Sequence, residues 1–344
     1  MPPRLLPLLL FAALAAPVQA QSPQPVEPTA AELQQAQARS DAWQAYASRA
    51  AHALARSDGA RERALAVVLE ALARPADEDG VARASPTAAT WRETASTRGA
   101  GDRITQQLLV AAGIAAGDPD AAGVAALRWQ ALEPGNLAPL LFQGLGADAT
   151  LAAAARSGRQ ASDPLALQRW VATAMRPHAP SAAEWAAFGE GPRPSAGTGA
   201  ALTAGAVQGL LVPDYREVLG ACTGRQLGAP GRAQGCRHLS ALLLSDPQTL
   251  HDERIGLSLA RALSRSAAER APLDARRRGV DWRDEQMADL AAREGAASAG
   301  VHARLLADTS ITTEDALVRR ILLDAGVAPL PPADWRAPWE QPAR

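Results

Sequence analysis

The chain is 344 residues long, with 35 basic and 36 acidic residues and a net charge of −1, and every basic residue is an arginine. A charge this close to zero argues against a general nucleic-acid binder, which needs excess positive charge to displace phosphate counterions. The absence of lysine excludes a Gly-x-x-x-x-Gly-Lys phosphate loop, a pyridoxal Schiff base and a Ser-x-x-Lys nucleophile pair.

Arg4 precedes the apolar run Leu5–Ala16 and then Pro17-Val18-Gln19-Ala20, with small residues where a signal peptidase cuts. Residues 1–20 therefore read as a secretory signal peptide. The run is shorter than the roughly 20 apolar residues a membrane span requires, and no cysteine follows it to carry a lipid. The expected product is an exported protein, placed in the periplasm and not membrane-spanning after cleavage. Residues 21–30 hold three prolines and read as a disordered leader.

Helical signals follow at once. Ala31 to Ser57 places Leu33, Trp43, Tyr46, Ala50 and Leu54 near one face, and Ser57-Asp58-Gly59 ends it. Ala60 to Arg74 carries the stripe Leu65, Val68, Leu69 and Leu72, and Pro75 stops it. Ser85-Pro86 starts a helix with Trp91. Arg103 to Ala116 follows, with Ile104, Leu108, Leu109 and Ile114. Asp118-Pro119 then opens the best-marked helix in the chain, because an acceptor at the cap and a proline in the first turn satisfy the free end. Pro134-Gly135 closes it, and Asn136 reads as the cap of the next helix.

Residues 103–136 resemble one tetratricopeptide unit: two short helices, a turn at Gly117-Asp118, small Ala122 at the crossing and a closing Pro134-Gly135-Asn136. The first helix has Gln106, Leu109, Val110 and Gly113 where the family favours Trp, Leu, Gly and Tyr. The second has Ala126 where an aromatic is favoured and Trp129 where alanine is. The resemblance implies stacked helical hairpins and a groove that presents a surface to a protein partner, with Trp129 the candidate contact.

Leu137 to Leu145 and Asp148 to Arg156 read as short helices. Ser162-Asp163-Pro164 opens another, with Leu165, Leu167, Trp170 and Val171, and Ser181-Ala182-Ala183-Glu184 is a capping box before Trp185 and Phe188. The Asp-Pro starts at Asp118, Asp163 and Asp246 are unevenly spaced, so the array is irregular. Gly189 to Gly199 is the clearest break and reads as a Gly/Pro linker or loop between an N-terminal helical array, 31–188, and a C-terminal helical domain, 200–326. Gly197-Thr198-Gly199 has no strand before it and no lysine after it, so it is not a phosphate loop.

Beyond the break, helices are expected over Ala200–Leu211, Pro213–Ala221 and Cys236–Ser245, and from Asp246-Pro247 through Leu263. Residues 265–278 form a charged run interrupted by Pro272. Further helices are expected over Asp281–Arg293 and from Thr312 or Thr313 to Gly326. The Pro/Trp tail, 327–344, should lie extended on the body. No run of alternating residues suggests a strand. The fold class is all-α, an irregular, α-solenoid-like and tetratricopeptide-like stack of hairpins.

Few residues carry chemistry. Cys222 and Cys236 are the only cysteines, and in an exported chain they are expected to form a disulfide closing a loop of about 15 residues. A metal site using Cys222, Cys236, His238 and His251 lacks paired spacing, so no metal and no cofactor are expected. His251-Asp252-Glu253 reads as a polar first turn of a helix. Arg254, Arg261, Arg265, Arg270, Arg276, Arg277 and Arg278 alternate with acids and read as a solvated, salt-bridged face. Glu294, in Ala-Arg-Glu294-Gly-Ala, is faintly similar to the acid of glycan-cleaving lytic enzymes, although Gly295 stands where their serine does. The expected role is non-enzymatic binding or scaffolding of another envelope protein, with a cell-wall glycan-active enzyme or glycan binder using Glu294 as the alternative.

Overall fold

The computed structural model describes residues 29–74, 85–188, 195–294 and 296–340. The expected signal peptide, residues 21–28 of the leader and the 189–194 part of the Gly/Pro stretch lie outside the described residues. Among the described residues there are fifteen α-helices and no strand, so the all-α expectation holds.

The first five helices are α1 (Ala30–Ala55), α2 (Ala60–Leu72), α3 (Pro86–Arg98), α4 (Arg103–Ala115) and α5 (Pro119–Leu132). Their starts are chemically explicit. Thr29 and Glu32 form a capping box at α1, Ser85 Oγ accepts the Ala88 N–H, and Asp118 accepts that of Ala121. Neighbours pack in sequence, α1 on α2, α2 on α3 and α4, and α4 on α5. The interior is made of Ala64, Leu65, Val68, Leu69, Leu108 and Ala111, among others. At the α4–α5 crossing, a Cβ on Gly113 would fall 2.5 Å from the Ala122 backbone nitrogen. Only glycine lets these two backbones approach so closely.

The next stretch departs from expectation. Leu137 to Leu145 forms only a short 3-10 turn, Ala138–Phe142, with Pro139 near its start. Asn136 is buried and works as a hub: its amide donates to Glu133 Oε2 and the Ala161 carbonyl, and its Oδ1 accepts the N–H groups of Ala138 and Ala161. It staples two chain segments and at the same time accepts the first N–H of the following 3-10 turn. α6 (Ala147–Ala154) and α7 (Pro164–Met175) follow, but Asp163 has φ of +46° and makes no cap bond, because its carboxylate pairs with Arg103. α8 (Ala182–Phe188) starts with the expected Ser181–Glu184 box.

α9 (Ala196–Gly209) begins inside the expected linker, since Ser195 Oγ accepts the Thr198 N–H and Gly197-Thr198-Gly199 becomes its first turns. It packs on α7, and Ala200, Ala204 and Val207 complete the core of α1, α2 and α4. A second core joins Leu137, Leu151 and Ala154 to Tyr215, Val218, Leu239 and Ile255. Both cores cross the expected boundary at 189–199, so the two stretches share their interiors.

The remaining helices are α10 (Arg216–Ala221), α11 (Arg232–Ser245), α12 (Leu250–Leu263), α13 (Ala267–Glu294), α14 (Ala296–Leu306) and α15 (Glu314–Asp324). α12 starts at Thr249, which accepts the Asp252 N–H, and not at Asp246-Pro247. Pro272 lies inside α13 and does not interrupt it. A proline there forfeits one backbone bond near the helix start, and the Ser266–Glu269 pair at that end offsets the loss: Ser266 Oγ accepts the Glu269 N–H, and the Glu269 carboxylate accepts the Arg265 N–H. Asp281 is mid-helix, so it caps nothing. The tail lies on the body through Trp335, Ala337 and Trp339, as expected.

Candidate functional site

α3 and α5 lie on one side of α4 and bound a groove of about 530 Å³. Arg92, Glu93, Ser96 and Thr97 of α3 form a polar wall, Leu109 of α4 is the floor, and Val124, Ala125 and Arg128 form the α5 wall. Val124 and Leu127 are 51% and 58% exposed, one helical turn apart with Ala131 beyond them. That spacing draws an exposed apolar stripe along α5, of which Val124 lines the groove. Arg92 is committed to Asp118 at 3.2 Å. Arg128 and Glu93 make no ion pair among the described residues. The groove therefore offers apolar contact beside one free cation and one free anion.

Trp129 does not face this groove. It is 1% exposed, stacks on Phe142 with centroids 6.3 Å apart, and donates from Nε1 to Glu133 Oε2 at 2.7 Å. It is a wedge between α5 and the 3-10 turn, which corrects its reading as a partner contact. Its position on the inner face of α5, four and three residues after the buried Ala125 and Ala126, was the available signal.

A second concentration of polar groups surrounds the start of α12. Asp252 is 1% exposed; its Oδ1 accepts the Tyr215 hydroxyl at 3.0 Å and its Oδ2 the Gln160 amide at 3.3 Å. Burial pushes the Asp252 carboxyl up, against the hydrogen bonds from Thr249 and Tyr215, and raises Tyr215 well above its ordinary range. Desolvation lowers the His251 imidazole, whose ring lies 5.8 Å from that of Tyr215. Glu314 accepts the Leu250 N–H at 2.6 Å, and its carboxyl is pushed up to about 7 by burial, with Asp252, Asp284 and Asp315 adding to the rise. Arginines complete the lattice. Arg254 bridges Asp281 and Asp284 at 2.8 Å each, Arg276 meets Glu253 at 2.5 Å, and Arg283 sits 2.9 Å from Asp315.

This array corrects the expected solvated face: Arg254, Arg261, Arg276 and Arg278 tie α12, α13 and the tail together through acids on neighbouring elements, and Arg277 does so through Ser258 and the Trp339 ring. Its acids of raised pKa are spoken for by hydrogen bonds within the fold. The candidate acid Glu294 is the last residue of α13, and its side chain lies outside the described residues. The sequence reading placed His251-Asp252-Glu253 in a helical first turn, as found, but missed Tyr215, Gln160 and Glu314. Those three come from distant positions and share no motif with it.

Cys222, ending α10, and Cys236, inside α11, form a disulfide with Cα atoms 5.8 Å apart, and both are fully buried. They are therefore not metal ligands, and His238 instead meets the Ser157 carbonyl at 3.1 Å. Among the described residues no group of three or more His, Cys, Asp or Glu side chains could hold a metal ion. No described helix is long and apolar enough to cross a membrane. Comparison with protein-family models, curated proteins and solved structures found no match.

Proposed function

We propose that this chain is an exported helical-array protein that holds a segment of another envelope protein in the groove between α3 and α5. The observation that carries the reading is the exposed Val124, with Ala121 and Ala125 beside it, lining a groove that also holds the unpaired Arg128 and Glu93. Grooves that bind peptides combine apolar anchoring with a few polar groups that fix direction. The fitting occupant is an amphipathic segment with apolar side chains toward α5, an acid toward Arg128 and a base toward Glu93. The close α4–α5 crossing at Gly113 and Ala122 supports the tetratricopeptide-like reading of 103–136. The buried disulfide supports export, because disulfides persist in oxidising compartments.

A photo-crosslinking residue at Val124 or Ala121, in cells making the full-length chain, tests the groove. One discrete adduct is expected at both positions, lost with Arg128→Glu. The control is Leu323, an exposed apolar residue on α15. Identical adducts at Leu323, or none at Val124 and Ala121, overturn the assignment. Mass measurement of the exported chain checks the cleavage, with a mature start near Gln21 expected.

A further inference from the structure

The tail offers a different kind of site. Trp339 donates from Nε1 to Asp281 Oδ2 at 2.8 Å, and the guanidinium carbons of Arg261 and Arg277 lie 5.2 and 5.4 Å from its ring centroid. Both arginines are within cation–π range. Arg278 brackets the same segment, pairing with Glu340 at 3.4 Å and donating to the Trp335 carbonyl at 2.5 Å. Trp335 meets the edge of Trp282 with centroids 5.5 Å apart.

Apart from Arg278, the receiving side chains are also held by α12 and α13. Asp281 accepts from Arg254 and sits 3.4 Å from Arg277, Arg261 pairs with Asp274 at 2.8 Å, and Arg277 reaches Ser258 Oγ at 3.3 Å. Anchoring that does not depend on the tail lowers the cost of reorganisation on binding. The tail's own hold is slight. Ala337 is its fully buried residue, Trp335 and Trp339 are half-buried, and Leu330 is 63% exposed. Val327 packs on the core of Leu250, Val318 and Leu322 at the start of the tail, whereas residues 335–340 are attached by ring, hydrogen-bond and ionic contacts with only Ala337 fully buried.

We propose that the α12–α13 face is a peptide-binding site for a tryptophan followed by a glutamate, and that residues 335–340 are its ligand in cis. Asp281 reads the indole N–H, Arg261 and Arg277 read the ring face, and Arg278 reads the acid and the backbone. A peptide of the same chemistry supplied in trans competes with the tail for the cradle. This assignment is independent of the α3–α5 groove.

The test uses the full chain and a labelled synthetic peptide of residues 331–340, titrated by fluorescence anisotropy. The Trp339→Ala chain, its own ligand disabled, is expected to bind the peptide at least tenfold more tightly than the wild type. Adding Arg261→Ala should weaken that binding about tenfold, and a peptide with alanine in place of its second tryptophan should not bind. Glu340→Ala, which leaves the ring in place, should give intermediate uptake and serves if Trp339→Ala fails to melt cooperatively. Equal binding by wild type and both tail variants, or none by a folded variant, overturns the proposal.

Discussion

The α4–α5 and α11–α12 crossings both turn on a glycine, but the glycines meet different obstacles. A Cβ on Gly113 would strike the Ala122 backbone at 2.5 and 2.8 Å, whereas one on Gly256 would meet the side chain of Leu244 at 2.9 Å. Around the first crossing, helices touch through Ala111, Ala112, Ala122, Ala125 and Ala126, so their backbones are close and leave no slack. Around the second, Leu239, Leu243, Ile255 and Leu259 fill the space, and the far side of α12 is tied to α13 by ion pairs. The alanine-rich half is steric in its core, and its ion pairs, Arg61–Asp102 and Arg49–Glu184, hold carboxyls below their ordinary range and so matter only toward acid pH. The C-terminal half is ionic, and its stability should follow pH.

The sharpest break of the steric half is Trp129→Ala. Removing the wedge leaves a cavity between α5 and the 3-10 turn and deprives Glu133 of a donor. A loss of about 3–5 kcal/mol is expected, the range for truncating a buried tryptophan, read as a lowered urea midpoint. Next comes the double variant Cys222→Ser/Cys236→Ser, which acts on the other half. Releasing a loop of this size costs about 3 kcal/mol by loop entropy. Both cysteines are fully buried, so the wild type should keep its melting temperature in mild reductant under native conditions and lose it only when denatured first.

The two glycines give a direct comparison of smaller size. Gly113→Ala should destabilise by about 1–3 kcal/mol, because only backbone movement relieves the clash. Gly256→Ala should cost less, since alanine favours the helix by roughly 0.5–1 kcal/mol and the Leu244 side chain can shift, although the buried Leu243 Cβ at 3.0 Å gives little room. Equal losses in thermal melts would show that the second crossing is as rigid as the first.

These differences also explain how far the sequence could be read. Caps at Ser85, Asp118, Ser181 and Thr313 were legible because each is satisfied by its own next turn. Asn136 and Asp163 have the same local chemistry but were recruited by distant partners, Ala161 and Arg103, which no local pattern reveals. Asp246 lost to Thr249, a competing cap three residues on. The Ser266-x-x-Glu269 signal was present, but the charge run and Pro272 obscured it. For the candidate sites, an apolar stripe on α5 could have been counted from Val124 and Leu127. The α12 lattice could not, since it exists only once α10, α12, α13 and α15 meet.

The pH dependence of that lattice is the finest test of the contrast. Glu314 accepts the Leu250 N–H at the start of α12 and is surrounded by Asp252, Asp284 and Asp315, with Arg254 and Arg283 already committed to acids. Its carboxyl is pushed up to about 7 in the fold from an ordinary 4.5. Between those values the folded chain keeps a proton that the unfolded chain has released, so this group's contribution is full below about 4.5 and is lost as pH rises through about 7. Glu314→Gln keeps an oxygen for Leu250 and removes the ionisation. Its melting temperature should therefore gain on the wild type progressively from pH 5 to 7 and hold that advantage at pH 8. A gap that stays constant across that range would mean that Glu314 titrates normally. In the steric half, Gln106→Glu would add a buried acid at a position that now donates to the Gly99 carbonyl, and its loss should deepen over the same pH interval. Taken together, the two variants separate a lattice that already carries ionisable groups from a core that can only be harmed by receiving one.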